Sequence, residues 1–162
     1  MTPNPYAPPK SEVADIVRGE GAPSLWNANA AAGWSLLFSP AFGAFVHMKN
    51  WQALGEPTKA TAAKTWGISS LVALGVVSTA AALLPDSKAI DGLSRIAMLA
   101  LLLSWYYSSG RPQAALIKER FGDKYPRRGW AKPLLLAVAA LVCFIAVMVT
   151  VGLAFETLTD EG

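Results

Sequence analysis

The sequence predicts an all-α integral membrane protein, a bundle of four membrane helices with a small amphipathic cytoplasmic helix before the last one. Apolar residue types make up 53% of the 162 residues and charged types only 15%, whereas charged residues form about a quarter of an average soluble domain. Several runs with little or no charge are long enough to cross a bilayer. Basic residues are concentrated in two of the segments that connect these runs, as expected for cytoplasmic loops.

The N-terminal stretch is predicted to be flexible and rich in proline. Proline fixes φ and lacks an N–H donor, so we expect an extended, solvated chain here. A short helix over 12–18, with Ser11 as its N-cap, is the local structure expected within it. No basic stretch precedes an apolar one, so we expect no cleavable signal peptide. The predicted divisions of the chain are this segment (1–24), a membrane helical domain (25–156) and an acidic tail (157–162).

The first apolar run, 28–48, allows two interpretations. It is apolar enough to insert but contains Asn29, Ser35 and the pair Ser39-Pro40. Proline is tolerated in a membrane helix where a neighbour or a hydroxyl satisfies the freed carbonyl. We predict a Pro-kinked span, with a re-entrant or interfacial hairpin that breaks at Ser39-Pro40 as the alternative. The choice decides on which side of the membrane the N-terminal segment lies.

The other three predicted spans are 66–84, 90–107 and 133–155. The last of them has no charged residue, and as a helix it is roughly 34 Å long, enough for a hydrocarbon core of ~30 Å. The run 66–84 is also uncharged, and 90–107 carries Asp91 and Arg95 in its first turns only. Hydrophobic length of this kind is the strongest indication of membrane helices in a sequence.

Two of the connecting segments have local structure that the sequence predicts. Gly55 suits the position after a helix C-terminus and Pro57 the first turn of the next helix, so a tight turn is expected between them. The stretch PQAALIKERFG is expected to form an amphipathic helix on the bilayer surface. Its apolar residues would face the bilayer and its basic residues the lipid phosphates: Leu116, Ile117 and Phe121, and Lys118 and Arg120.

The charges of the loops predict the orientation. Loops 48–65 and 108–132 lie on one side and carry ten of the fourteen basic residues, so both are predicted to be cytoplasmic, with 85–91 and the C-terminus on the periplasmic side. The aromatic residues independently predict the same sidedness, because rings of this kind are enriched at membrane interfaces. Those at the proposed cytoplasmic helix ends are Trp51, Trp66, Trp105, Tyr106, Tyr107 and Trp130.

The stretch KYPRRGW, 124–130, belongs to the cytoplasmic shoulder of the last span. Each basic residue near an anionic leaflet contributes about 1 kcal/mol of binding, so we expect this loop to set the topology and to contact anionic headgroups. A specific lipid or protein site is the alternative, and nucleic acid is not an expected partner because the basic patch is short. The residues assigned to headgroups and topology are Arg111, Lys118, Arg120, Lys124, Arg127, Arg128 and Lys132.

Few residues in the apolar runs offer chemistry. Asp91 and Arg95 are spaced for pairing on one helical face; they either line a polar path or act structurally, with Asp91 at the helix N-terminus and Arg95 snorkelling outward. Arg95 is the first functional candidate, because it should lie in the apolar zone and needs an oxygen. His47 and Cys143, the single histidine and cysteine, are interpreted as structural.

The second span is rich in small residues. Gly75 and Thr79, and likewise Ser78 and Ala82, are four residues apart, a spacing that lets two helix backbones approach closely. The four residues are expected either to pack within the chain or to bind another membrane protein or a second copy.

The sequence does not predict an enzyme. It contains none of the motifs HExxH, GxSxG, GxGxxG or the P-loop, and no cluster of carboxylates or histidines within the spans. We therefore expect no catalytic residues, no cofactor and no metal. The chain also lacks paired broken helices in inverted repeats, which disfavours a transporter.

The N-terminal part of the chain resembles a group of proteins. NPYAPPKSEVAD, followed by LWNANAAAGWSLLFSPAFGAFVHMKNWQALGEPTKA, is similar to small multi-pass proteins of bacterial inner membranes with an NPYAPP-type N-terminus, many of them uncharacterised. The resemblance covers roughly residues 4–66. It implies a bacterial inner-membrane location and carries over neither an activity nor functional residues.

Two functions follow as hypotheses. The first is a non-enzymatic protein that binds a membrane partner through its helices, as an accessory subunit or as an immunity-type protein against a membrane-targeting toxin. The second is a small oligomeric pore or transporter, with Asp91, Arg95 and the hydroxyls of the second span lining a path. The lipid bilayer, another membrane protein or toxin, or the protein itself are the partners expected.

Overall fold

A computed structural model describes residues 21–83 and 88–160 of the chain. The described residues are all-helical apart from one isolated β-bridge, which confirms the predicted all-α class. The predicted helix over 12–18 and residues 85–87 of the predicted loop 85–91 lie outside the described residues. The elements in chain order are α1 (Ala28–Phe38), α2 (Pro40–Ala53), α3 (Pro57–Leu83), α4 (Lys88–Trp105), a π-helical segment (Tyr106–Gly110), α5 (Arg111–Phe121) and α6 (Ala131–Asp160).

Three helical stretches of the described chain are long and apolar enough to cross a membrane: Pro57–Ala81, Lys88–Phe121 and Ala131–Phe155. The middle stretch is longer than predicted because α4, the π-helical segment and α5 follow one another without a break. At 34 residues it is about 51 Å long, so it extends well beyond a hydrocarbon core of ~30 Å.

The fourth predicted span, 28–48, is not among these stretches. It is divided at Ser39 into α1 and α2, of 11 and 14 residues, and both are shorter than the ~20 residues that a spanning helix needs. The two helices run antiparallel, because His47 Nε2 lies 3.2 Å from the carbonyl oxygen of Ala28 and Asn50 bonds the backbone of Trp26. The preferred prediction of a kinked span therefore does not describe this region, whereas the alternative of a hairpin does.

The tip of the hairpin forms where the sequence places Ser39-Pro40. Ser39 has φ 101° and ψ 160°, so α1 ends there, and Pro40 then occupies the first turn of α2, where its missing N–H costs nothing. Gly43 lets the two helices approach closely, because a Cβ at that position would overlap Ser35 Oγ and the ring of Trp105. Small residues next to the break are what allow the chain to fold back.

The turn between α2 and α3 has the predicted form. Gly55 has φ 72° and α3 begins at Pro57. The N–H of Glu56 donates to the carbonyl of Trp51 at 3.0 Å, which closes the turn. The long helix α3 thus starts at a fixed position next to the end of α2.

The prediction that the apolar face of α5 lies against the bilayer is wrong. Ile117 is buried in a cluster with Leu25 and Ala28, and Phe121 packs against the same cluster. Leu116 packs against the cluster formed by Trp51, Ala60 and Ala63. Because α5 continues from α4, its apolar face meets α2, α3 and the segment before α1 and covers their apolar side chains.

The packed residues are concentrated at one end of the molecule, which we call the base: residues 24–31, 47–63 and 105–129. The buried clusters around Ile117 and Trp51 both belong to it. By contrast, buried residues make up 22%, 6% and 0% of the most apolar part of the three spanning stretches, in chain order. The base therefore holds the fold together, and the spans expose most of their surface.

Candidate functional site

The base contains a buried polar cluster centred on Asn50. Its Oδ1 accepts from the N–H of Trp26 at 3.0 Å, and its Nδ2 donates to the carbonyl of the same residue at 2.9 Å. The side chain therefore pairs both backbone groups of Trp26, as a neighbouring strand would. Asn50 itself is fully buried, and a buried amide is tolerated only where such partners exist.

Gln113 extends this cluster from α2 to α5. Its Oε1 accepts the second N–H of Asn50 at 3.2 Å, and its Nε2 donates to the carbonyl of His47 at 2.9 Å. Gln113 is fully buried as well. The segment before α1, the helix α2 and the helix α5 are thus joined by a continuous chain of hydrogen bonds.

His47 is the buried titratable group of the cluster. Its Nε2 carries the proton, because it lies 3.2 Å from the carbonyl oxygen of Ala28, which can only accept. Nδ1 has no hydrogen-bond partner among the described residues. Burial therefore lowers the pKa of His47 to about 4, although the Ala28 carbonyl acts in the opposite direction.

Trp105 closes the cluster on the side of α4. Its ring makes an edge contact with His47 at 5.4 Å between centroids, and Gly110 at the end of the π-helical segment lies close to both rings. The indole N–H of Trp105 and the hydroxyl of Ser70 are buried without a partner among the described residues. Short π-helical segments are frequent at functional positions, and this one lies where α4 leaves the spanning region.

The segment before α1 is attached to the loop before α6. The N–H of Leu25 donates to Pro126 at 3.0 Å, and its carbonyl accepts from Arg128 at 2.9 Å. Trp26 Nε1 donates to the carbonyl of Gly129 at 2.9 Å, and the Arg128 guanidinium lies 4.7 Å from the Trp26 ring centroid. Part of the motif KYPRRGW therefore binds the protein's own N-terminal segment.

The seven basic residues assigned to headgroups fall into two sets. Three have protein partners: Arg120 pairs with Glu56 at 3.6 Å, Arg127 with Asp123 at 3.5 Å, and Arg128 stacks on Trp26. The other four have no ion pair or ring contact with the described residues, and all four are exposed: Arg111, Lys118, Lys124 and Lys132. Four of the seven therefore have no protein partner of this kind that could compete with a lipid headgroup, whereas Arg120 and Arg127 form only exposed ion pairs.

The two charged residues of the third predicted span do not form an ion pair with each other. Asp91 lies in the first turn of α4, where a carboxylate is favoured by the helix dipole. Asp91 and Arg95 are both exposed, and neither forms an ion pair with a described residue. The structure does not bring them into the polar cluster of the base.

The small residues of α3 divide into two groups. Near its start, Gly67 is in close contact with the ring of Phe45, and Ser70 is buried. Further along, a Cβ at Gly75 would meet nothing within 4 Å, and Thr79 is exposed. Ser78 is half-buried, and of Ala82 only the backbone position in α3 is described.

Comparison with known proteins gives no relative. The chain matches no protein-family model, no curated protein and no solved structure. The resemblance of residues 4–66 to bacterial inner-membrane proteins therefore stays a prediction.

Sequence reasoning missed Asn50 and Gln113, the residues that organise the base. They are 63 positions apart and each belongs to a segment with no motif. One local indication was present: small residues on both sides of Ser39-Pro40, Ala31 and Ser35 before it and Gly43 after it, have the spacing of a close helix–helix contact.

Proposed function

We propose that this chain is a non-enzymatic, multi-pass protein of the bacterial inner membrane that acts by lateral helix–helix binding to another membrane protein. In this role it is an accessory subunit, or an immunity-type protein that neutralises a membrane-targeting toxin. The proposal rests mainly on the difference in burial between the base and the spans. A protein whose spans are scarcely packed against one another has much of its membrane surface available to a partner.

The far half of α3 is the surface that supports this proposal best. Gly75 is open, and Thr79, one turn further along, is exposed on the same helical face. In a bilayer, apolar side chains gain nothing by leaving lipid for one another, so helix association depends on close backbone approach and hydrogen bonds between helices. A glycine with free space around it, followed by a hydroxyl four residues later, provides both.

We further propose that the base faces the cytoplasm and that α1 and α2 form a re-entrant hairpin. Trp26 and Asn50 are hydrogen-bonded to each other, so both ends of the hairpin lie at the base, next to the basic loops. The tip exposes Leu36 and Leu37, which is favourable if it enters the hydrocarbon core. At ~1.5 Å per residue, α1 and α2 reach about 16 and 21 Å, roughly half to two-thirds of that core.

Affinity purification of the tagged full-length protein in mild detergent, with mass analysis of the proteins that accompany it, tests the proposal. We expect a stoichiometric membrane protein with the wild type and its loss with Gly75→Leu, because the larger side chain separates the helix backbones. Gly152→Leu on α6 is the matched control, since a Cβ at that position also meets nothing within 4 Å. Retention of the partner by Gly75→Leu would exclude the far half of α3 as the binding surface.

The pore hypothesis is favoured by one observation, the exposure of Arg95 without an ion pair to any described residue. A charged side chain in an apolar zone needs an oxygen partner or a water-filled path, and neighbouring copies would supply one. A homo-oligomer without any other protein, together with ion flux in liposomes that Arg95→Ala abolishes, would replace the partner-binding proposal with this one.

A further inference from the structure

A surface groove lies in the base, between the end of α2, the start of α3 and the start of α5. It encloses about 260 Å³, far above the ~10–15 Å³ that one water requires. Its apolar walls come from three elements: Trp51 on α2, Ala62 on α3, and Pro112 and Leu116 on α5. The groove is separate from the buried cluster around Asn50 and from the far half of α3.

The groove lies at the level where two spanning stretches leave the apolar zone. Ala62 lies four residues before Trp66, the first residue of the uncharged run 66–84, and Ser108 directly follows Tyr107, the last residue of the apolar run 90–107. Four helical residues correspond to about 6 Å along the axis, which is within the headgroup layer of a bilayer. Lipid is therefore the ligand with direct access to the groove.

Hydrogen-bond donors are present beside the apolar walls. Lys59 lines the groove, and its ammonium lies 4.8 Å from the centroid of the Trp51 ring. Ser109 also lines it, and its hydroxyl has no partner among the described residues. Trp51 also lines the groove and is only 4% exposed, and its indole N–H makes no hydrogen bond with the described part of the chain.

We propose that this groove binds the headgroup of an anionic glycerophospholipid, with its phosphate at Lys59 and Ser109 and the first part of an acyl chain against Ala62 and Leu116. The combination of an ammonium, neutral donors and an apolar wall matches the headgroup and the upper part of the chain. The proposal does not depend on the partner-binding function, since Gly75 is about 24 Å from Lys59 along the axis of α3.

Glu56 controls the charge of the groove. It pairs with Lys59 at 3.3 Å and with Arg120 at 3.6 Å, so one carboxylate faces two cations and a net positive charge remains. An anionic headgroup competes with Glu56 for Lys59. Removal of the carboxylate with Glu56→Gln should therefore strengthen lipid binding, whereas Lys59→Gln should weaken it.

The test measures lipid bound to the delipidated full-length protein by native mass spectrometry, during titration with dioctanoyl phosphatidylglycerol. We expect one tightly bound lipid and a loss of affinity of about fivefold with Lys59→Gln, equivalent to about 1 kcal/mol per basic residue. Lys64→Gln, the same charge change on an exposed lysine of α3 outside the groove, should leave binding unchanged. Ala62→Phe should block the groove without a change of charge, with Ala115→Phe on the exposed side of α5 as its control.

Three outcomes would overturn the proposal. Equal losses with Lys59→Gln and Lys64→Gln would indicate diffuse electrostatic attraction. Equal binding of the zwitterionic dioctanoyl phosphatidylcholine would indicate that charge is not recognised. Displacement of the lipid by inorganic phosphate at the same concentration would identify the site as one for the free anion. Retention of the membrane partner by Lys59→Gln, tested in the same purification, separates this proposal from the partner-binding one.

Discussion

The base and the spans of this protein contain similar types of residue but pack them differently. In the base and the adjoining hairpin, small residues such as Ala28, Ala31 and Gly43 bring helices together, and polar side chains such as Asn50 are buried with partners. In the spans, small residues such as Gly75 leave open space, and the apolar side chains face outward. Packing within the chain is therefore concentrated at one end, while most of the membrane surface is free for lipid or a partner.

The largest effect on the free energy of unfolding is expected for the loss of Asn50, the centre of the hydrogen-bonded cluster in the base. Asn50→Leu removes the partner of both backbone groups of Trp26 and of Gln113. Since a buried polar group without a partner costs about 1–3 kcal/mol, the free energy of unfolding should fall by about 3 kcal/mol. Denaturant unfolding in detergent measures the loss. The exposed Asn29 on α1 is the control, and Asn29→Leu should change the same free energy by less than about 0.5 kcal/mol. Similar losses for the two variants would refute the organising role of Asn50.

Smaller changes of opposite sign in the free energy of unfolding are expected for a glycine-to-alanine substitution in the hairpin, at Gly43, and in the far half of α3, at Gly75. Gly43→Ala places a methyl group against Ser35 Oγ and Trp105, so overpacking should lower the free energy of unfolding by about 2 kcal/mol. Gly75→Ala meets open space and should raise it by up to about 1 kcal/mol, because alanine favours a helix over glycine. Thermal melts of both variants in one detergent provide the comparison. Stabilisation by Gly43→Ala would show that the hairpin is not closed as described.

An effect smaller than that of Gly43→Ala is expected from pH, and it again distinguishes the base. The pKa of His47 is lowered to about 4 in the folded chain against ~6.5 in an unfolded one, so its contribution to stability is fully present above ~6.5 and decreases as the pH falls toward ~4. Between pH 7 and 5.5 the loss should be about 1.2 kcal/mol. The pH dependence of unfolding should lack this component in His47→Gln. An identical dependence in the two proteins would assign it to other groups.

The sequence predicted the spans well because hydrophobic length is a local property. The run 133–155 lies within α6, the described part of the run 66–84 lies within α3, and Gly55 and Pro57 form the expected turn. The boundaries were less accurate: α4 continues through the π-helical segment into α5. An apolar run shows where a helix crosses the membrane, but the helix ends where its hydrogen bonds end.

The base was predicted poorly because its contacts are distant in sequence. Asn50 and Gln113 carry no pattern of their own, and the apolar face of α5, around Ile117, is equally suited to lipid and to protein. Hydropathy does not distinguish these two apolar surroundings. The hairpin was one of the two predicted alternatives. Hydrogen bonds between Asn50 and Trp26 hold its two ends together, and no local propensity indicates that pairing.

The central claim is that 28–48 folds back so that both of its ends lie on one side of the membrane. Labelling of single cysteines from either side of the membrane tests this claim most directly. In a Cys143→Ser background, Ser24→Cys, Gln52→Cys and Lys88→Cys place one thiol at each of three exposed positions. With a membrane-impermeant maleimide, we expect Lys88→Cys to react in intact cells, and Ser24→Cys and Gln52→Cys to react together only after the membrane is opened. Reaction of Ser24→Cys in intact cells, while Gln52→Cys stays protected, would show that 28–48 crosses the membrane and would contradict the hairpin.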